Sequence, residues 1–166
     1  MKKLRISIVG LRSKREDGFS YAALLALVAV IGVFAGITTQ VTSRAVQAAK
    51  EKELLFRGMA YVQAIGSYYQ ATQGYQHYPP SLEDLVKDPR FPNRHHIRRL
   101  YLEPMNESLE WRLIRAVDGG ISGVCSPSDS VPIKKSGFPV GLEEFEAAEH
   151  YSDWCFEYSP GRKYTP

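Results

Sequence analysis

Residues 18–37 read GFSYAALLALVAVIGVFAGI, and no charged residue follows this stretch until Arg44. A helix of about 20 apolar residues, at roughly 1.5 Å per residue, matches the roughly 30 Å hydrocarbon core of a bilayer. The sequence therefore predicts a membrane-crossing helix over residues 19–41. That helix separates a short basic leader from an exported part large enough for one modest core.

Six basic residues precede the apolar stretch: Lys2, Lys3, Arg5, Arg12, Lys14 and Arg15. Positive charge beside one end of a membrane helix keeps that end in the cytoplasm, so the body of the chain is predicted to be exported. In an ordinary secretory signal a short apolar region follows the basic start and ends at a small-residue cleavage site. Here the long apolar run begins only after Gly18, so a cut at Gly18 would remove the leader and keep the helix.

Gly18-Phe19-Ser20 and the uncharged helix after it resemble the N-terminus of the type IV pilin and type II secretion pseudopilin superfamily. The resemblance implies that a prepilin peptidase cuts between Gly18 and Phe19 and that Phe19 is then N-methylated. It implies a structural subunit of a type II secretion or related type IV pilus-like machine, assembled into a periplasmic filament that drives protein secretion. Residues 78–86, YPPSLEDLV, resemble the corresponding connection in G-type pseudopilins.

Partners and location follow from the same resemblance. The expected partners are other pilin-like subunits through the N-terminal helix, the prepilin peptidase, and an inner-membrane assembly platform with a separate cytoplasmic ATPase. The expected location is the bacterial inner membrane, with the C-terminal domain in the periplasm. The alternative is a single-pass protein that is never cleaved and whose periplasmic domain binds a partner.

The sequence departs from the family pattern at two places. Ala23 occupies the fifth mature position, where the family usually has a glutamate, and Gln40 stands near the usual helix proline. Some minor pseudopilins at filament tips also lack the glutamate, whereas the size of the head fits a major subunit. Both positions in a filament therefore stay open.

The domain organisation predicted is α+β and pilin-like, with a long N-terminal spine helix packed on a small antiparallel sheet. The predicted parts are a leader (1–18), a transmembrane helix (19–41), the periplasmic half of the spine (42–75), an αβ head (76–158) and a tail that frays (159–166). Helical spacing predicts one buried stripe along the spine. Its members are Leu55, Met59, Val62, Ile65 or Gly66, and Tyr69.

Turn and capping signals divide the head into short elements. Gly74 is expected to end the spine, and Ser81 to cap a short helix with Asp84 answering it. Strands are predicted over residues 110–115, 121–126 and 151–158, with a turn at Asp118-Gly119-Gly120, a loop over 126–141 and an acidic helix or turn over 142–150.

Several polar groups are candidates for functional sites. Lys50, Glu51, Lys52, Glu53 and Arg57 are expected to form a solvated or subunit-facing surface. Residues 88–99 are either a basic patch for an acidic partner or a solvated loop, and the loop is favoured. The adjacent His95 and His96 point apart and are not assigned a metal.

Cys125 and Cys155 would form one disulfide if they lie on neighbouring strands, or stay as two thiols. Asp118, Asp129 and Asp153 are candidates for calcium, but they lack the dense spacing of a calcium loop, so no cofactor is predicted. No catalytic motif occurs, so an enzyme is the least expected class. The net charge of +3 argues against a nucleic-acid binder.

Overall fold

The computed structural model describes the backbone of residues 17–72, 74–106 and 109–164, and their side chains apart from residues 17–20 and 32–42. The predicted leader therefore lies outside the described residues up to residue 16, as do Gln73, residues 107–108 and residues 165–166. The chain divides into two compact units, Met1–Ser43 and Arg44–Pro166.

The fold is α+β, as the sequence predicts. Helix α1 (Asp17–Gln70) is followed by the short helix α2 (Glu83–Val86) and by three strands, β1 (Arg112–Arg115), β2 (Ile121–Cys125) and β3 (Cys155–Glu157). Two short 3-10 helices, Glu143–Ala147 and Tyr151–Asp153, lie between β2 and β3.

The strands form one antiparallel sheet in the order β1-β2-β3, so β1 and β3 are its two edges. Leu113 pairs with Val124, which in turn pairs with Phe156. The β1–β2 connection turns at Gly119, whose φ of 82° suits a residue without a Cβ. Every residue of β2 is buried, as expected for a central strand.

The second unit is organised around one stripe of α1. Leu54, Gly58, Tyr61, Ile65 and Tyr68 are buried at alternating steps of four and three residues. This spacing places all five on one helix face. The predicted stripe is right at Val62, Ile65 and Gly66, which are buried, but wrong by about one residue at Leu55, Met59 and Tyr69, which are only partly buried.

Gly58 explains the shift of the stripe. A Cβ at this position would lie 2.4 Å from ring atoms of Phe156, so the bare helix backbone lets the β3 side chain approach closely. Phe156 is fully buried, and its ring meets those of Trp111 and Phe145 edge to face. The face of α1 that contacts the sheet is therefore the one that contains Gly58, not the face with the most aliphatic side chains.

The cap predicted for α2 is wrong. The residue before the helix is Leu82, whose backbone is itself helical (φ −70°, ψ −26°), and no side chain caps it. The turn is closed instead by the Leu85 amide, which donates to the Leu82 carbonyl. Ser81 and Asp84 therefore do not form the expected capping box.

The last predicted strand is too long at its start. The Asp153 carboxylate accepts hydrogen bonds from the amides of Glu149 and His150, and residues Tyr151–Asp153 form a 3-10 helix. Only Cys155–Glu157 pairs with the sheet.

The tail makes contacts with the head as far as Tyr164, and its fraying stays a prediction. The Tyr164 hydroxyl donates to the Glu157 carbonyl, and Arg162 pairs with Glu144 at 3.1 Å. A Cβ on Gly141 would lie 2.7 Å from the Tyr164 ring, so this segment packs closely against the edge of the sheet formed by β3.

Gly58→Ala tests the close approach of α1 and β3. In an open helix this change stabilises by about 0.5–1 kcal/mol, but here overpacking against Phe156 should destabilise by about 1–3 kcal/mol. The measurement is denaturant unfolding of the full chain in detergent. Phe156→Ala should lower the free energy of unfolding by itself, and the double variant Gly58→Ala with Phe156→Ala should be almost as stable as Phe156→Ala alone. Additive effects of the two changes would contradict the packing described.

Candidate functional site

The predicted cleavage site lies at the start of α1. The helix begins at Asp17, so the backbone of Gly18 and Phe19 is helical, while their side chains lie outside the described residues. Ala23 is exposed on the helix, and Gln40 lies within it with its side chain undescribed. Among the helices searched, which comprise described residues only, none has an apolar stretch long enough to cross a membrane.

The described part of the first unit has an apolar surface on every side. All side chains from Tyr21 to Ile31 are exposed, and none of them is charged. The large ones are between 51% and 65% exposed: Tyr21, Leu24, Leu25, Leu27, Val28, Val30 and Ile31. A helix that is apolar all round is normally buried in protein or lipid.

Glu51 anchors the long loop after β2 to α1. The side chain is buried, and its carboxylate accepts hydrogen bonds from the amides of Ile133 (2.9 Å) and Lys134 (3.1 Å) and from the Tyr151 hydroxyl (2.7 Å). Burial, and next the bond to Glu51, raises the pKa of Tyr151 to about 12, so the phenol stays protonated and donates.

The solvated surface predicted for residues 50–57 is therefore wrong at Glu51. Glu51 lies three residues before Leu54, on the same stripe as the buried residues of α1. Counting charged residues in the helical periodicity would have placed Glu51 on the buried face of α1. Its partners could not be inferred, because they lie 82 to 100 residues further along the chain.

A second buried carboxylate, Asp88, ties the loop after α2 to the end of α1. Arg90 donates to Asp88 at 2.8 Å, and His96 Nε2 lies 3.0 Å from the same carboxylate oxygen. Arg90 also donates to the Tyr68 carbonyl (2.9 Å), and its guanidinium lies 3.6 Å from the centre of the Tyr68 ring. Arg90 thus binds a carbonyl of the last helical turn, where a cation is favourable.

The electrostatics of this cluster favour the ionised carboxylate. Burial by itself would raise the pKa of Asp88, but hydrogen bonds from Arg90 and His96 outweigh it and hold the pKa well below its usual range. The bond to Asp88 raises the pKa of Arg90 in turn. The prediction of a solvated loop is therefore wrong for this part of residues 88–99. The pair Asp88-Pro89 is typical of a turn, and it was the one local sign that Asp88 has a structural role.

The two adjacent histidines point to different partners. His96 Nδ1 lies 2.8 Å from the Ser67 hydroxyl, whereas His95 Nδ1 contacts the Val86 carbonyl. Within the described side chains, no three His, Cys, Asp or Glu residues come together in a way that could hold a metal ion.

Two of the three aspartates considered for calcium already accept hydrogen bonds from backbone amides. The Asp118 carboxylate accepts from Tyr78 and Gly120, and that of Asp153 accepts from Glu149 and His150. The side chain of Asp129 is exposed. Among the described residues, these three aspartates do not belong to a common group that could hold a metal ion.

Cys125 and Cys155 lie opposite each other at the pairing of β2 and β3 and form a disulfide, with their Cα atoms 4.1 Å apart. The bond joins the central strand to an edge strand. It closes the segment that holds the long loop and both 3-10 helices.

A groove of about 290 Å³ lies beside β1, the edge strand opposite β3. Its walls are mostly apolar and include Leu82, Leu100, Leu102, Trp111 and Leu113, while Glu83, Glu110 and Arg115 supply charge. A second cavity of about 260 Å³ shares residues 100–102 and contains Arg57 and Arg99 but no carboxylate. Sequence patterns gave no sign of either cavity.

Comparison of the chain with protein-family models, with curated proteins and with solved structures finds no match in any of the three.

Asp88→Asn should destabilise the protein by about 3–5 kcal/mol at pH 7, because it removes one member of a buried ion pair. Since the folded pKa of Asp88 is depressed, its contribution is fully present at neutral pH, begins to fall below about pH 4, the value for an unfolded aspartate, and is lost progressively toward the lower folded pKa. Unfolding free energies at pH 7 and pH 3 should therefore differ less in Asp88→Asn than in the natural protein. Asp129 has an exposed side chain, so Asp129→Asn should show the same difference in unfolding free energy between pH 7 and pH 3 as the natural protein. An equal difference in the natural protein and in both variants would refute the role of Asp88.

The disulfide predicts that labelling of the denatured, unreduced protein finds no free thiol. Changing both Cys125 and Cys155 to alanine should lower stability by roughly 3–4 kcal/mol, the chain-entropy value for a loop of this size. Two labelled thiols per chain would disprove the bond. Addition of a reductant should destabilise the natural protein but leave the double variant unchanged.

Proposed function

We propose that the chain is a structural pilin-like subunit, a pseudopilin, of a type II secretion or related type IV pilus-like machine. The observation that carries the proposal is α1: one helix of 54 residues supplies both an uncharged, exposed apolar surface and the stripe on which the head is built. A subunit held first in lipid and later by its neighbours needs this combination.

The exposed apolar surface is the reason to expect a nonaqueous partner. Removing seven half-exposed large side chains from water would contribute on the order of 5–10 kcal/mol. No Asp, Glu, Lys or Arg occurs between Gly18 and Ser43, so neither lipid nor a neighbouring helix would meet a charge there. The same surface can be covered by hydrocarbon before assembly and by other helices afterwards.

The basic leader fits removal before assembly. A cut after Gly18 would leave Phe19 as the N-terminus and take away all six leader cations, which would otherwise hold that end on the cytoplasmic side. N-methylation of Phe19 and placement of the head in the periplasm belong to the proposal. Its expected partners are a prepilin peptidase, other pilin-like subunits and an inner-membrane platform driven by a separate cytoplasmic ATPase.

The proposed work is mechanical, so the protein acts as a structural part and needs no cofactor. An apolar helix packs against its neighbours while the head faces outward, and the sequence has no phosphate-binding motif that would supply energy.

Gly18→Val tests the proposal. Produced in bacteria that contain a prepilin peptidase, the natural chain should have an intact mass that begins at methylated Phe19. Gly18→Val should keep residues 1–18, because a branched side chain at the junction blocks access to the peptide bond. Gly10→Val, a glycine change within the leader, should be processed normally.

An uncleaved natural chain that begins at Met1 or Lys2 in the presence of an active peptidase would favour the alternative. In that case the protein would be a membrane-anchored periplasmic domain that binds a partner. Normal processing of Gly18→Val would contradict the assigned junction.

A further inference from the structure

We propose that the two cavities beside β1 receive the acidic segment 140–149 of a second copy of this chain, so that neighbouring heads join side to side. This contact rests on the proposed function, and it adds a contact between heads to the contact between helices. The β1 side is defined by residues 98–102 and 111–115, and the β3 side by residues 140–149.

The two surfaces lie on opposite edges of the head. The first cavity is lined by Trp111, Leu113 and Arg115, at the end of the sheet formed by β1, and the second adjoins it through residues 100–102. The acidic segment belongs to the other edge: Gly141 packs on the ring of Tyr164, whose hydroxyl binds the β3 carbonyl of Glu157. A surface on one edge cannot meet its complement on the same molecule, but it can meet that of a neighbour.

The β1 side combines apolar area with positive charge. Leu102 is 59% exposed, and Leu100 and Leu113 are each 38% exposed around the cavities. Arg98 and Arg99 are exposed, and in the described part of the chain neither has a carboxylate within salt-bridge distance. Since the cavity that contains Arg99 holds no carboxylate, incoming acidic side chains would be attracted there rather than toward Glu83 and Glu110.

The β3 side has the complementary composition. Glu143, Glu144, Glu146 and Glu149 are all exposed, and residues 140–149 contain no Lys or Arg. Only Glu144 has an arginine partner, Arg162, in the described structure. Val140, 55% exposed, adds an apolar side chain beside these carboxylates.

Different surfaces on the two edges give a contact that can repeat. When one surface of a subunit binds another surface of the next, each addition leaves a free surface at the end, and the result is a ring or an open filament. Exposed charge pairs each contribute little, so the apolar residues supply the burial while the charges select the partner and its register.

The test is photocrosslinking in membranes of cells that assemble the full chain. A photoreactive amino acid in place of Leu102 should give dimers and higher adducts, with the crosslink mapped to residues 140–149. Arg98→Glu with Arg99→Glu should lower the yield roughly tenfold, the scale of replacing two exposed ion pairs by two repulsive ones. Glu146→Lys with Glu149→Lys should do the same.

The two sets of changes combined should restore most of the yield, which a folding defect could not do. Arg98→Lys with Arg99→Lys keeps the charge and should crosslink as the natural chain does. The contact between heads would be overturned by any of three results: a crosslinking yield that charge reversal does not change, a combined variant without restored yield, or a crosslink to another protein.

A second photoreactive position separates failure of this contact from failure of the proposed function. At Leu27, on the apolar helix, adducts between copies depend on assembly but not on the head charges. Adducts at Leu27 with none between residue 102 and residues 140–149 would reject the contact between heads and leave the pilin-like subunit standing. Absence of adducts between copies at both positions would reject both proposals.

Discussion

The close packing of Phe156 on Gly58 is the contact on which the head depends. A three-stranded sheet whose strands are three to five residues long has too little area to be stable alone. It becomes stable by laying β3 directly on a helix backbone, where the missing Cβ lets an aromatic ring contact that backbone. The rings of Trp111 and Phe145 then pack against Phe156, and Trp154 stacks on Phe145.

Buried carboxylates fix the loops that this small core cannot hold by packing. Glu51 holds the loop after β2 near one end of the buried stripe, and the Asp88–Arg90 pair holds the loop after α2 near the other. Desolvating a carboxylate is costly, so each has several donors. These bonds fix where the loops attach along α1, which hydrophobic contacts alone would leave less defined.

The sequence predicted what depends on local patterns and missed what depends on distant partners. Helix α1, the Asp118–Gly120 turn and the β2 strand follow from apolar spacing and turn chemistry within a few residues. The phase of the buried stripe depended on Phe156, about a hundred residues away, and on counting Gly58 as an inward position. Glu51 and Asp88 looked like surface charges because their donors were not visible nearby. The cavities beside β1 arise from five separate segments, so no single pattern could show them.

The charged residues at the surface of the head lie mainly on its long loops, around a core of aliphatic and aromatic side chains. Because β2 is covered on both sides by its neighbours, substitutions there act on stability, whereas the edges can vary at little cost to the fold. The arginines near β1 and the glutamates near β3 are held on segments that Asp88 and Glu51 anchor to the same helix. The proposed contact between heads requires that these anchors hold the two surfaces at a fixed spacing and angle. Fixed geometry is what a repeating contact requires, since a small error in angle accumulates with every subunit added.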